Sequence, residues 1–112
     1  MAYDEVLAQR IHDLLDGEAG LTSKKMFGGL GFMLDGHMAV AASHTGDLMV
    51  RADPKQGEEW IDGETVRPME MRGRAMNGWL YVAADAVAGD EELQVWVDRG
   101  AGYVRTLPPK TP

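Results

Sequence analysis

The chain has 112 residues, of which 45% are hydrophobic and 26% charged, so it is long enough for one domain with its own apolar core. It contains no cysteine, which excludes disulfides, thiol nucleophiles and thiolate metal sites. Its formal net charge of −7 disfavours autonomous binding to nucleic acid, because that affinity comes mainly from neutralising phosphates.

The amino-terminal residues Met1-Ala2-Tyr3-Asp4-Glu5 lack the basic and apolar segments of a signal peptide. No apolar run in the sequence approaches the length needed to span a bilayer. We therefore expect a cytoplasmic protein with no membrane contact.

The first predicted helix runs from Asp4 to Asp16. Asp4 is a good N-cap and Glu5 lies in the positive first turn, while Gly17 suits the position just after the helix. The apolar side chains recur at helical spacing, at Val6, Leu7, Ile11, Leu14 and Leu15.

A glycine-rich segment follows the next extended piece, Leu21 to Phe27. Three of the four residues from Gly28 to Gly31 are glycines, which indicates a bulge or a close backbone approach within a strand. We therefore predict that Met26, Phe27, Gly28 and Gly29 have a structural role, as a bend in one long strand.

Asp35-Gly36 lies between two apolar runs and predicts a two-residue type I′ hairpin turn, in which both central residues need a positive φ. This turn pairs Leu34 with His37 and Met33 with Met38. Continued alternation pairs Phe32 with Ala39 and Gly31 with Val40. One face then carries Leu30, Phe32, Leu34, Ala39 and Ala41, and the other carries Met33, Met38 and Val40. Since both faces are apolar, the second must be covered by further helices, by a second copy or by a partner.

The remaining elements alternate between helix and strand. The predicted strands are Leu48 to Arg51, Val66 to Arg72 and Met76 to Val82, and Pro68 confines the second to a sheet edge or to the start of a strand. Asp53 and Pro54 begin a helix that ends near Ile61, and Asp90 caps the last helix, whose apolar stripe includes Trp96. The predicted fold is an α+β two-layer domain over residues 1–107, in the order α-β-β-β-α-β-β-α. It has a five-stranded antiparallel sheet and a tail at residues 108–112.

Several of these residues resemble the TfoX (Sxy) N-terminal domain family. They are the segment Lys25-Met26-Phe27-Gly28-Gly29, the Asp35-Gly36 turn with Met38, the strand Leu48-Met49-Val50-Arg51, Tyr81, the Trp96 helix and Leu107-Pro108. The resemblance covers nearly the whole chain and implies a small α+β domain. The family is named for a bacterial regulator of natural competence thought to act with a transcription factor, which has a second, C-terminal domain not matched here. It implies no catalytic residues.

The residues outline no catalytic, cofactor or metal site. The glycines lack the Lys-Ser or Lys-Thr of a phosphate loop, and Phe32 follows Gly31 in a strand. His37 and His44, with Asp35 and Asp47, are the best metal candidates, but the histidines have opposite strand parity and face apart.

A basic patch is a second hypothesis. Stacking aromatics with arginines bind single-stranded nucleic acid, and Trp79 and Tyr81 neighbour the basic residues Lys24, Lys25, Arg67, Arg72 and Arg74. Glu64 and Glu70 interrupt this patch, so contact with nucleic acid stays the alternative function.

The eight methionines favour a protein-interaction role. Those on predicted strands include Met33, Met38, Met49, Met69, Met71 and Met76, and methionine fills both cores and adaptable binding surfaces. The sequence therefore predicts a non-catalytic, regulatory interaction module that binds a protein partner or a second copy through Met33, Met38 and Val40. A small metal-binding protein or enzyme is the remote alternative.

Overall fold

The structure, a computed structural model, describes residues 3–26, 28–71 and 74–108, with the backbone alone for residues 26, 71 and 74–77. Three α-helices and six strands make up a single α+β unit. The helices are α1 (Glu5–Leu15), α2 (Pro54–Trp60) and α3 (Asp90–Val104). The strands are β1 (Leu21–Met26), β2 (Gly29–Leu34), β3 (His37–Ala42), β4 (Leu48–Arg51), β5 (Val66–Met71) and β6 (Arg74–Val82), and a short 3₁₀ helix spans Ala84–Val87. Apart from Pro108, the predicted tail lies outside the described residues.

The helix starts follow from their capping residues. The Asp4 carboxylate accepts hydrogen bonds from the backbone N–H groups of Val6 and Leu7 at the start of α1, as predicted. Asp53 caps α2 in the same way, with Pro54 in the first turn. The prediction for α3 is wrong by one residue, since Gly89 is its N-cap and Asp90 lies in the first turn.

The sheet is antiparallel, but it has six strands rather than the predicted five, in the order β1-β2-β3-β4-β6-β5. The difference lies at the glycines. Met26 pairs with Gly29, so the chain reverses direction between β1 and β2, and Gly28 in that turn has a φ of +76°. The glycines therefore form a hairpin turn where we predicted a bend within one strand, because a positive φ is the geometry that glycine tolerates.

The Asp35-Gly36 turn between β2 and β3 has the predicted geometry, with φ values of +51° and +87°. The pairs next to it, Leu34 with His37 and Met33 with Met38, are confirmed. The register then shifts, so that Phe32 pairs with Val40 and the predicted pairing of Phe32 with Ala39 is wrong.

This β-bulge changes which face Val40 occupies. Ala39 is the extra residue, and both Ala39 and Val40 are fully buried in the core on the helix side of the sheet. Val40 was predicted beside Met33 and Met38 on the opposite face, and the structure corrects that placement.

The main core lies between the helices and one face of the sheet. It holds buried side chains from α1 and α3 together with those of the central strands, including Ile11, Phe32, Leu48, Leu80 and Val97. Trp96 belongs to this core, in agreement with its predicted structural role. Burying this apolar surface is the main free-energy gain of folding.

Close contact between α3 and β3 depends on Gly100. A Cβ atom placed on Gly100 would lie 2.5 Å from the Ala39 carbonyl oxygen and 2.9 Å from Val40 Cγ1. A glycine inside a helix costs about 1 kcal/mol relative to alanine, and here that cost allows the helix backbone to approach the bulged strand.

We predict that Gly100→Ala lowers the free energy of unfolding by about 1–3 kcal/mol, because the added methyl group overpacks the α3–β3 contact. Urea unfolding followed by circular dichroism measures the change. Gly102→Ala on the same helix is the matched control, since no atom lies within 4 Å of its added Cβ. It should stabilise the protein by up to about 1 kcal/mol. Equal effects of the two substitutions would contradict the role of Gly100.

Candidate functional site

The sheet face opposite the helices carries a second apolar cluster. Ala41, Met49 and Met69 are buried there, with Met38, Trp79 and Tyr81 packed against them. Every member of this cluster belongs to a strand, whereas the residues that α1, α2 and α3 bury lie in or against the main core. We call the cluster Met38, Ala41, Met49, Met69, Trp79 and Tyr81 the methionine face.

The methionine face contains a cavity of about 120 Å³. Met38, Met49, Met69 and Tyr81 line it, as do Gly29 in β2 and Glu70 in β5. Along a flat sheet those two strands would be about 19 Å apart, at roughly 4.8 Å per strand spacing. Because both strands line one small cavity, the sheet curls around it, and curling explains why Met49 and Met69 are only 7% and 6% exposed without a covering helix.

The strand alternation of β6 is as predicted where its side chains are described. Leu80 and Val82 enter the main core, and Trp79 and Tyr81 point to the methionine face. Met33 pairs with Met38 and is partly exposed, but it does not line the cavity. Sequence reasoning missed that Met38, Met49 and Met69 meet, because three different strands supply them and β6 lies between β4 and β5.

The members of the predicted basic patch with described side chains come from both edge strands of the sheet. Lys24 and Lys25 are exposed on β1 at one edge of the sheet, and Arg67 is on β5 at the other edge. Arg67 is paired with Asp47 at 2.6 Å and stacks 5.7 Å from the Tyr81 ring centre, so its charge is already compensated. Arg72 lies outside the described residues, as does the side chain of Arg74.

The four metal candidates have other partners or stand apart. Asp35 forms an ion pair with Arg105 at 2.9 Å, and Asp47 pairs with Arg67. His37 Nε2 donates to the Pro108 carbonyl at 2.6 Å, and His44 is exposed at the rim of the cavity. Over residues 3–26, 28–71 and 74–108, no three His, Asp or Glu side chains are grouped to hold a metal ion.

Two further arginines stack on aromatic rings, and one of them, Arg51, links Trp79 of the methionine face to Tyr103 of α3. The Arg51 guanidinium lies 5.0 Å from the Trp79 ring centre and 5.6 Å from that of Tyr103. Arg99 lies 4.4 Å from the ring centre of Trp60 and 4.6 Å from that of Trp96. The helical spacing of Trp96, Arg99 and Tyr103 could have revealed part of this arrangement, which sequence reasoning missed.

The large pKa shift in the described chain lies outside these surfaces, in the loop between α2 and β5. Asp62 accepts a hydrogen bond from the Thr65 hydroxyl and from the backbone N–H groups of Glu64, Thr65 and Val66. These bonds, with the Thr65 hydroxyl contributing most, hold the pKa of the Asp62 carboxyl far below its usual range. Asp62 therefore fixes a turn and does not mark a catalytic acid.

The fold places the chain among small α+β proteins with all helices on one face of an antiparallel sheet. The family model for the TfoX N-terminal domain matches residues 13–102. The chain therefore belongs to the TfoX N-terminal domain family. No curated protein matches the sequence significantly.

A solved structure has the same fold. The crystal structure of the Deinococcus radiodurans protein DR2400, with a DUF419 domain, is similar with a TM-score of 0.70 and 19% sequence identity. The match covers 93% of this chain and 81% of that one. Within the described residues, no helix has the length and apolar content required to cross a bilayer.

We predict that Asp62→Asn lowers stability at neutral pH, because a neutral amide accepts these hydrogen bonds less strongly than a carboxylate. The folded-state pKa is depressed, so the stabilisation is fully present above the unfolded-state pKa of about 3.9. It is lost progressively as the pH falls toward the folded-state pKa.

Urea unfolding of both proteins between pH 7 and strongly acidic pH measures the difference. We expect it to be constant above about pH 5 and to shrink below about pH 4. A difference independent of pH would show that the Asp62 charge does not stabilise the loop. Asp85→Asn, at an exposed aspartate, is the control.

Proposed function

We propose that the chain is a non-catalytic, regulatory interaction module that binds a protein partner through the methionine face. The observation that carries the proposal is a sheet with all its helices on one side and a concave apolar cavity on the other. A concave apolar cavity rimmed by partly exposed side chains is typical of binding sites.

The occupant we propose is one apolar side chain of the partner, seated in the cavity between Met38, Met49 and Met69. The cavity volume of about 120 Å³ suits a single side chain, since an apolar cavity of about 150 Å³ holds a benzene molecule. A buried anchor of this kind dominates the affinity of many interfaces.

The composition of the methionine face suits apolar groups of different shapes. Methionine has an unbranched, flexible side chain with a polarisable sulfur, so its packing adapts to different apolar groups. Trp79 and Tyr81 add large, rigid surfaces beside the methionines, and aromatic residues are enriched in interface cores. With Val40 in the main core, Met38 is the member of the predicted surface that carries this role.

The family resemblance supports a regulatory partner. The competence regulator for which the family is named is thought to act with a transcription factor, so a protein of the transcription machinery is the partner class we propose. Direct contact with nucleic acid is less favoured, because Arg67 is already paired with Asp47 and the chain has a formal net charge of −7.

We predict that Met38→Glu weakens partner binding at least about 30-fold, because a charge in the apolar cavity would have to be desolvated. Val95→Glu is the matched control, since Val95 is 45% exposed and lies on α3, on the other side of the sheet. Thermal unfolding first establishes that both variants are folded. Partners are then captured from cells of the native host with the wild type and each variant, identified by mass spectrometry and titrated individually.

A partner retained by wild type and Val95→Glu but lost from Met38→Glu supports the proposal. Identical binding by all three proteins would contradict it, and so would the absence of any retained partner. Light scattering tests a second copy as the occupant. A dimer that Met38→Glu alone disrupts would show that a second copy of the chain, and not a partner protein, occupies the methionine face.

A further inference from the structure

A groove lies between α2 and α3, outside the methionine face. Its cavity volume is about 550 Å³, and its walls include Gln56, Trp60, Asp98, Arg99 and Tyr103. None of these five residues belongs to the methionine face or to a predicted site.

The aromatic walls of the groove are held rigidly. Trp60 meets Trp96 edge to face, with ring centres 5.6 Å apart and planes at 87°. Arg99 stacks on both of these rings, and Arg51 stacks on Tyr103 from the neighbouring strand. Rings fixed in this way lose little conformational freedom when a ligand binds, which favours affinity.

The groove offers hydrogen-bond donors that have no partners in the described parts of the chain. These are the Trp60 indole N–H, the Tyr103 hydroxyl and the guanidinium of Arg99, whose described contacts are with aromatic rings. A ligand with acceptors beside apolar surface matches these donors.

A proline-rich segment has this chemistry. In the polyproline II conformation its backbone carbonyls are unpaired acceptors, and proline has no backbone N–H to satisfy. Such segments dock into aromatic-lined grooves with little loss of entropy, because the conformation is formed in advance. The carboxylates of Asp53 and Asp98 in the groove add attraction for a basic residue in the segment.

The chain carries a segment of this composition. Residues 109–112 read Pro-Lys-Thr-Pro, which is a proline pair at P-x-x-P spacing with one lysine. In its own chain, Thr106 lines the groove, but the Pro108 carbonyl accepts a hydrogen bond from His37 at the β2–β3 hairpin, so the chain leaves the groove before residue 109. We propose that the α2–α3 groove binds residues 109–112 of a second copy of the chain, with Lys110 at its carboxylates.

The first test uses the full-length chain, labelled with ¹⁵N, and a synthetic peptide of residues 106–112. Nuclear magnetic resonance titration should give weak, saturable shifts centred on the indole N–H of Trp60 and the amide of Tyr103. A peptide with Pro109→Ala and Pro112→Ala should bind at least about tenfold more weakly, because it loses the preformed conformation. Because the protein is unaltered, no folding defect can explain that difference.

Protein variants then locate the contacts. Tyr103→Phe removes one hydroxyl and Asp98→Lys reverses one exposed charge, and each should weaken peptide binding about fivefold. Glu91→Lys makes the same charge change at the far end of α3 and should leave binding unchanged. No shifts at millimolar peptide, shifts on another face, or equal binding of the alanine peptide would each overturn the proposal.

Sedimentation velocity of the full chain provides the second test. The average sedimentation coefficient should rise with protein concentration and should stay at the monomer value in the Pro109→Ala/Pro112→Ala variant. A rise that persists in this variant would overturn the assignment of residues 109–112 as the occupant. Met38→Glu should not affect the rise, so failure of this proposal and failure of the methionine-face proposal are distinguishable.

Discussion

The structure depends on the contact between α3 and the bulged strand β3. The bulge places Ala39 and Val40 together on the helix side, and Gly100 lets the α3 backbone reach the Ala39 carbonyl. This contact positions α3 over the centre of the sheet, where Leu93 and Val97 complete the main core. The bulge also sets the composition of the methionine face, because shifting Val40 to the core leaves Met38 and Ala41 as its β3 members.

The two sides of the sheet differ in how they exclude water. On the helix side, large side chains from all three helices cover the strands. On the other side, curvature of the sheet buries Met49 and Met69 against neighbouring strands. A sheet that buries one face by bending retains a concave surface, whereas a sheet covered by helices does not. The ladder is irregular at Phe32–Met33 and at Pro68–Met69, and such irregularities increase the bending and twist of a sheet.

Sequence reasoning was most successful where structure is decided by neighbouring residues. The Asp35-Gly36 turn, the caps Asp4 and Asp53 and the edge position of Pro68 depend on local backbone geometry and were correct. It failed where contacts between residues far apart in the sequence determine the structure. The glycines after Phe27 fit either a bend or a hairpin, and pairing of β1 with β2 selects the hairpin. The bulge at Ala39 packs against Gly100, which is far away in the sequence. The contact among Met38, Met49 and Met69 depends on the strand order, and the stacking of Arg99 depends on helix packing. The spacing of apolar residues in the sequence gives neither.

The placement of Lys24 and Lys25 on β1 has a consequence for the behaviour of the protein at high concentration. An edge strand offers unpaired backbone groups on which another chain can form a β-ladder and extend into aggregates. On β1 the exposed side chains include two adjacent lysines, and at the opposite edge Pro68 interrupts the hydrogen-bonding pattern of β5. Both ends of the sheet are thus protected against uncontrolled growth. A protein with a partly exposed apolar face can in this way avoid growth of its sheet through the edge strands.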